Sequence, residues 1–240
     1  IQWFAVNPTG VDNTATVIWE IFQAGDNKDA WLWVATMNSI MIAGLSTLIS
    51  FFFGLPMAMI LVKRKGKFWD RFKEFLDAMV DVPLVVPTAT LGFAMYLFWG
   101  PSGIGILQPG FWMIILVHVA MCFPYVVRPI IAIIEKTDPE LEDAARTLGA
   151  SSLTTFRTIS LPKMKNGIIA GLVMSFTRSM GETGATKVVS GVIRTVPLLI
   201  VDWVETVNTA AAGFASVVLI IFSFIMLMIL RRTMENQGGR

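Results

Sequence analysis

The chain has 240 residues, of which 55% are apolar and only 15% are charged, and its net charge is +2 at neutral pH. Because ordinary soluble domains carry about 25% charged residues, this composition indicates a membrane protein with long uncharged stretches. The nearly balanced charge provides no broad basic surface, so we expect no nucleic-acid partner. The single cysteine, Cys122, excludes a disulfide within the chain.

Three long runs contain no Asp, Glu, Lys or Arg, namely 30–62, 82–127 and 206–230. A helix needs roughly 20 apolar residues to cross a bilayer core of about 30 Å, so each run is long enough and the middle run is long enough twice. Turn-forming glycines and prolines at 100–103 and 109–110 divide the middle run into two parts.

The sequence therefore predicts an all-α membrane protein with five spans. In chain order, they are span A (33–62), span B (82–98), span C (111–134), span D (167–189) and span E (211–230). Residues 1–32 are then an external segment, 33–230 form the transmembrane domain with a cytoplasmic loop at 135–165, and 231–240 are a cytoplasmic tail.

The distribution of basic residues predicts the orientation. Lys and Arg are concentrated in the A–B loop, the C–D loop and the segment after span E. By the positive-inside rule, Lys65, Arg146 and the C-terminus lie in the cytoplasm, while Lys28 and Arg194 lie outside the inner (cytoplasmic) membrane. A sixth helix that precedes Ile1 would complete an even count of spans, and a five-span protein with an external N-terminus is the alternative.

Two segments outside the spans have the spacing of amphipathic helices. Segment 11–25 places Val17 and Ile21 on one apolar face. This segment is expected to lie on the external surface of the same membrane or to contact an external partner. Segment 68–79 has a similar pattern and is expected to lie at the inner surface before span B.

The C–D loop contains the pattern of a short, sharply bounded helix. Thr137 or Asp138 can cap the first free amides, and Pro139 suits the first turn. Gly149 suits the left-handed conformation that ends a helix. An apolar face with helical spacing consists of Leu141, Ala144, Ala145 and Leu148. This face is too short to cross a membrane, so we predict that it docks into a groove on another protein.

The same loop resembles the EAA loop of ABC importer permeases. The matching residues are Asp143-Ala144-Ala145, then after three residues Gly149, then after nine residues Ile159-Ser160-Leu161-Pro162. The spacing matches without a gap. The one departure is Asp143, where the family usually has Glu, and Glu142 stands immediately before it.

This resemblance implies a type I importer permease in which the loop helix is a coupling helix, seated in a groove of a cytoplasmic ATPase subunit. The residues implied in ATPase coupling are Glu142, Asp143, Ala144, Ala145, Leu148 and Gly149. The resemblance further implies a second permease copy, an ATPase dimer that binds ATP and Mg²⁺, and an external substrate-binding protein. ATPase closure would bring two coupling helices together and switch the permease between inward and outward access.

The segment from Arg178 to Gly184 resembles permeases for sulfate, molybdate, tungstate and phosphate. Those permeases have Arg or a short polar residue three positions before Gly-Glu, as Arg178 stands before Gly181 and Glu182. The resemblance implies that the substrate is an inorganic oxyanion. Permeases for iron, thiamine or polyamines are the alternatives.

Span D also carries a polar stripe, although an ionisable group inside a bilayer costs about 3 kcal/mol. The stripe consists of Ser175, Arg178, Ser179, Glu182 and Thr186. Arg178 and Glu182 are four residues apart and can form an ion pair. The stripe either lines the translocation pathway or locks span D to a neighbouring helix or to its twin across a dimer.

The remaining polar residues of the spans have simpler expected roles. His118 in span C is expected to be a hydrogen-bonded group rather than a ligand, and no second His or Cys offers a metal site. Arg128 and Lys187 are expected to extend toward the membrane surfaces. Pro83 and Pro87 are expected to break the start of span B.

The chain has no GxxxxGK[ST] motif that could hold nucleotide phosphates, so ATP hydrolysis is expected on a separate subunit. A membrane enzyme would need a nucleophile beside the polar residues of the spans, and none stands out. A channel or a structural anchor is the other alternative. The EAA-like loop argues against the channel and the anchor.

Overall fold

The computed structural model describes residues 31–63, 67–137, 140–206 and 209–238, and the regular structure in these ranges is helical. The elements are α1 (Trp31–Lys63), α2 (Lys67–Val85), α3 (Thr88–Trp99), α4 (Phe111–Glu135), α5 (Glu140–Thr147), α6 (Ser152–Thr155), a π-helix (Phe156–Ser160), α7 (Leu161–Met180), α8 (Gly184–Val189), α9 (Val196–Glu205) and α10 (Thr209–Gly238). The predicted segment 11–25, Lys28, Lys65, Asp138 and Pro139 lie outside the described residues. The all-α fold class is confirmed.

Three helices of the described ranges are long and apolar enough to cross a membrane. These are the stretches Leu32–Val62, Phe111–Glu135 and Thr209–Met226. They coincide with predicted spans A, C and E, which are therefore confirmed as helices. The helix of span E continues to Gly238, beyond the predicted end of the span.

Span B is broken near its start, as its prolines predict, so residues 82–98 do not form one helix. Helices α2 and α3 meet at an angle of 113°. The break consists of Val86 and Pro87, and Pro83 lies inside α2. Pro87 has φ −55° and ψ 133°, and a residue before proline is sterically disfavoured from helical geometry, which explains why the chain turns here. The 12 residues of α3 extend about 18 Å, so α3 alone is shorter than a bilayer core of about 30 Å.

Helix α2 has one charged and one apolar face. Asp70 and Glu74 lie on the charged face, whereas Phe72 and Phe75 are exposed on the other. The amphipathic helix predicted over 68–79 is therefore confirmed and extends further at its C-terminal end. Its position at the inner membrane surface stays a prediction.

Span D is also interrupted. Helix α7 ends at Met180, and α8 begins at Gly184. Between them, the carboxylate of Glu182 accepts a hydrogen bond of 2.9 Å from the backbone N–H of Ala185. The glutamate thereby satisfies one of the free amides at the start of α8. The single helix predicted over 167–189 is therefore wrong, because a new helix start lies within it.

Helix α9 is a further element that the sequence analysis does not anticipate. Thr195 stands at its N-cap, and Pro197 lies in its first turn, where a missing backbone N–H has no cost. Its residues Leu199 and Trp203 pack with Leu32 in one buried cluster. Helix α9 therefore packs against the start of span A and, in the same cluster, against the start of span E.

Helix α4 lies at the centre of the fold, between α1 and α7. The approach of α7 is close at two glycines. A Cβ atom at Gly171 would lie 3.0 Å from the carbonyl oxygen of Val126, and one at Gly167 would lie 2.7 Å from that of Pro129. Small residues allow such close packing of helices within a membrane, so these glycines hold span D against span C.

Candidate functional site

The cytoplasmic loop forms the short helix that its sequence predicts. Helix α5 runs over Glu140–Thr147, with three acidic residues in its first turn and Arg146 in its last. This charge order matches the helix dipole, whose N-terminal end is positive and whose C-terminal end is negative. The charged side chains therefore stabilise an isolated two-turn helix that would otherwise be marginal.

The predicted docking face of α5 is accessible. Leu148 has 88% of its surface exposed and Leu141 has 46%. Ala144 is exposed as well, and Ala145 is half-buried. Exposed leucines in a loop that lies outside the spans mark a surface that another protein can cover.

Gly149 ends the helix in the left-handed conformation that the sequence predicts, with φ +86°. Its backbone N–H donates to the carbonyl of Arg146 at 2.9 Å, and the N–H of Ala150 donates to the carbonyl of Ala145 at 3.0 Å. These two bonds satisfy carbonyl groups that the end of a helix leaves free.

The two adjacent acids of α5 have different environments. The carboxylate of Glu142 accepts a hydrogen bond of 2.7 Å from the hydroxyl of Ser160, at the end of the π-helix. Asp143 is exposed. Thus Asp143 stands at the accessible surface, whereas Glu142 contacts its own chain.

The hydroxyls of the span D stripe face the interior of the subunit. The Oγ atom of Ser175 lies 3.1 Å from Oγ1 of Thr47, and that of Ser179 lies 3.2 Å from Oγ of Ser46. Ser175 and Thr186 are 0% exposed, and Ser179 is 4% exposed. These contacts with α1 are those expected of the alternative in which span D is locked to a neighbouring helix.

His118 belongs to the same polar cluster. Its Nδ1 atom lies 2.7 Å from Oγ of Ser179, and its Nε2 atom lies 2.8 Å from Oγ1 of Thr186. Both ring nitrogens therefore have partners, as expected for a hydrogen-bonded histidine. The sequence predicts His118 and the stripe as separate features, because no local pattern relates them.

The two charges of the stripe form an ion pair. Nη1 of Arg178 lies 2.6 Å from Oε2 of Glu182, and the side chains are 28% and 3% exposed. Glu182 accepts bonds both from Arg178, before the break in span D, and from the amide of Ala185, after it. Among the five stripe residues, Arg178 has the largest exposed fraction in the single chain.

Arg128 and Lys187 both form ion pairs with neighbouring helices, and their expected extension toward the membrane surfaces stays a prediction. Arg128 lies 2.7 Å from a carboxylate oxygen of Asp77 and 2.6 Å from one of Asp81. Lys187 pairs with Glu205. The sequence signal that could have indicated a partner for Arg128 is the spacing of Asp77 and Asp81, which lie on one face of α2. The described residues contain no group of three His, Cys, Asp or Glu that could hold a metal ion.

The family described as a binding-protein-dependent transport system inner membrane component matches residues 50–236. The molybdate/tungstate transport system permease protein WtpB of Methanocaldococcus jannaschii is 33% identical over 209 residues, which cover 85% of this chain and 82% of that protein. The molybdenum transport system permease protein ModB of Escherichia coli is 33% identical, with coverage of 87% and 97%. The sulfate transport system permease protein CysT of Salmonella typhimurium is 33% identical, with coverage of 84% and 76%.

Solved structures share the fold. A chain of the inward-facing MetNI methionine ABC transporter superposes with a TM-score of 0.72 at 18% identity, over 88% of this chain and 99% of that one. A bacterial alginate ABC transporter, in complex with an alginate-bound periplasmic protein, gives 0.67 at 15% identity, over 97% and 91%. The chain therefore belongs to the binding-protein-dependent inner membrane components, and it is a multi-pass permease subunit of an ABC importer.

Proposed function

We propose that this permease carries a tetrahedral inorganic oxyanion, namely molybdate, tungstate or sulfate, into the cell. The observation that carries the proposal is the set of relatives at 33% identity, which are named for these three anions and align over most of both chains. The three anions have the same shape and the same double negative charge. A permease that accepts one of them therefore faces a similar physical task with the others.

The charge arrangement in span D is compatible with passage of an anion. Conduction requires binding that is weak enough for the substrate to leave. Arg178 is neutralised by Glu182 at 2.6 Å, so it does not offer a bare positive charge that would retain a dianion. We propose that the accessible part of Arg178 and the adjacent break in span D make weak polar contact with the passing anion. Selectivity then lies mainly in an external substrate-binding protein.

We further propose that α5 docks into a cytoplasmic ATPase, with two permease copies and two ATPase subunits in the assembly and the C-terminus in the cytoplasm. The support is the exposed face of Leu141, Ala144 and Leu148 together with the positive φ of Gly149. ATP and Mg²⁺ are bound by the partner. Closure of the ATPase dimer moves α5, and this motion switches the permease between inward and outward access.

The proposal is tested by ATP hydrolysis in a reconstituted complex with its ATPase and binding protein. Molybdate, tungstate, sulfate and phosphate are added separately, with ferric iron, thiamine and spermidine as comparison solutes. We expect at least one of the first three anions to stimulate hydrolysis and to accumulate in proteoliposomes. Stimulation by phosphate alone would exclude the three named anions, and stimulation only by a cation or an organic solute would exclude an oxyanion substrate.

A further inference from the structure

We propose that Glu142 is a positioning residue. Its bond to Ser160 fixes the coupling helix relative to the start of α7, the helix that continues into span D. This inference rests on the proposed role of α5 as the ATPase dock. Whereas the exposed face of α5 receives the motion of the partner, the Glu142–Ser160 bond keeps α5 at a fixed angle to span D. When the partner displaces α5, the bond therefore transmits that displacement to the membrane helix α7.

The first support is the contact itself. Ser160 is 4% exposed, and its hydroxyl donates to Oε1 of Glu142 at 2.7 Å. A hydroxyl that donates to a carboxylate forms a charge-assisted hydrogen bond, which is roughly twice as strong as a neutral one. The bond joins residues that are 18 positions apart, on either side of the turn at Gly149.

The second support is that α5 lies on the surface of the described structure. None of the residues of α5, all of which are described, is buried. The helix contacts α6 and the π-helix, and after Thr147 it continues through the left-handed turn at Gly149. A two-turn helix without a buried side chain would pivot about such a turn under load. The bond from Glu142 to Ser160 opposes this pivot.

The third support is the continuity between Ser160 and the membrane helix. Ser160 has helical angles, φ −67° and ψ −50°, and α7 begins at the next residue. The 20 residues of α7 extend about 30 Å, and they carry Ser179 and Arg178 at the far end. A displacement applied at Ser160 therefore reaches the break in span D along one continuous helix.

The placement of Ser160 separates bracing from docking. A partner cannot reach a side chain that is 4% exposed, so loss of its hydroxyl leaves the docking face unchanged. Glu142→Gln is also informative, since an amide oxygen still accepts the bond from Ser160, whereas an ion pair with a partner would be lost. Thr158→Val is the matched control. It removes another hydroxyl of the π-helix, which is exposed and bonds locally to the carbonyl of Thr154.

The experiment compares Ser160→Ala, Glu142→Ala and the double variant in proteoliposomes that contain the full permease–ATPase complex and its binding protein. Two quantities are measured, the amount of ATPase that co-purifies and the substrate transported per ATP hydrolysed. We expect normal assembly, transport per ATP reduced by about tenfold in each single variant, and a loss in the double variant that is smaller than the two single losses combined, because the shared bond is lost once. Glu142→Gln should lose less coupling than Glu142→Ala, because the amide still accepts the bond, and Thr158→Val should lose none.

Normal transport per ATP in Ser160→Ala, or additive losses in the double variant, would overturn the proposed role of the Glu142–Ser160 bond. If Ser160→Ala does not assemble, the comparison of Glu142→Gln with Glu142→Ala decides, and equal loss in the two would also reject the proposal. Failure of the docking assignment has a different signature. In that case, Ala145→Trp on the exposed helix would co-purify with the ATPase as the unmodified permease does.

Discussion

Nε2 of His118 lies 2.8 Å from the hydroxyl oxygen of Thr186, which follows the break in span D. The other ring nitrogen lies 2.7 Å from the hydroxyl of Ser179, which precedes the break. A neutral imidazole has one donor and one acceptor, and a hydroxyl can serve as either. One side chain of span C therefore holds both halves of span D, where backbone hydrogen bonding is interrupted.

Replacement of His118 should destabilise the permease. His118→Leu keeps an apolar side chain at the site but removes both hydrogen bonds, which contribute about 1 kcal/mol each. We expect a lower thermal unfolding midpoint of the purified protein in detergent. His118→Gln can restore one of the bonds and should recover part of the loss. Equal midpoints for the unmodified protein and His118→Leu would show that the ring does not hold the break together.

Arg178→Ala should impair folding or gating more than substrate choice. The substitution leaves Glu182, whose side chain is 3% exposed, without its counter-ion, and an uncompensated buried charge costs about 3–5 kcal/mol. Arg178→Ala with Glu182→Gln removes both charges and should recover part of the stability. The measurements are the yield of folded protein and the relative uptake of molybdate, tungstate and sulfate. A stable Arg178→Ala protein with an altered order of substrates would contradict this expectation.

The orientation predicted from basic residues is tested with single cysteines at Arg146 and Arg194. The positive-inside rule places the first in the cytoplasm and the second outside. A membrane-impermeant maleimide applied to intact cells should label Arg194→Cys, and Arg146→Cys should react only after permeabilisation. The unmodified protein is the control, since its one cysteine, Cys122, is buried. Labelling of both positions from the same side would exclude the predicted topology.

Two substitutions test the docking role of α5. Ala145→Trp places a large side chain on the proposed docking face, and Gly149→Val puts a branched residue at φ +86°, where strain of about 1–2 kcal/mol is expected. Both variants should insert into the membrane but retain less ATPase and transport less substrate. Ala145→Ser is the matched control for the first variant, because Ser is nearly as small as Ala. Gly149→Asn is the control for the second, because Asn tolerates the left-handed conformation. Full ATPase binding and uptake in both test variants would remove the coupling assignment.

Several features of this protein follow from local sequence. The helices of spans A, C and E are determined by the length of uncharged apolar runs. The bounds of α5 follow from acidic residues in its first turn and from Gly149, whose missing Cβ permits the turn that ends the helix. Each of these signals lies within a few residues of the structure that it determines. The sequence by itself therefore identified the helices of spans A, C and E, the short loop helix α5 and the family resemblance.

The tertiary structure decided where the spans break and what the polar residues contact. The prolines predict a break at the start of span B but not the angle of 113° between its two helices, and Glu182 caps α8 only because a new helix begins there. His118 meets residues 61 and 68 positions away, and Glu142 meets Ser160 across a turn. Desolvation inside the folded subunit favours a hydrogen-bond partner for a buried polar group. Which partner it finds depends on how distant helices pack, and no local pattern in the sequence contains that information.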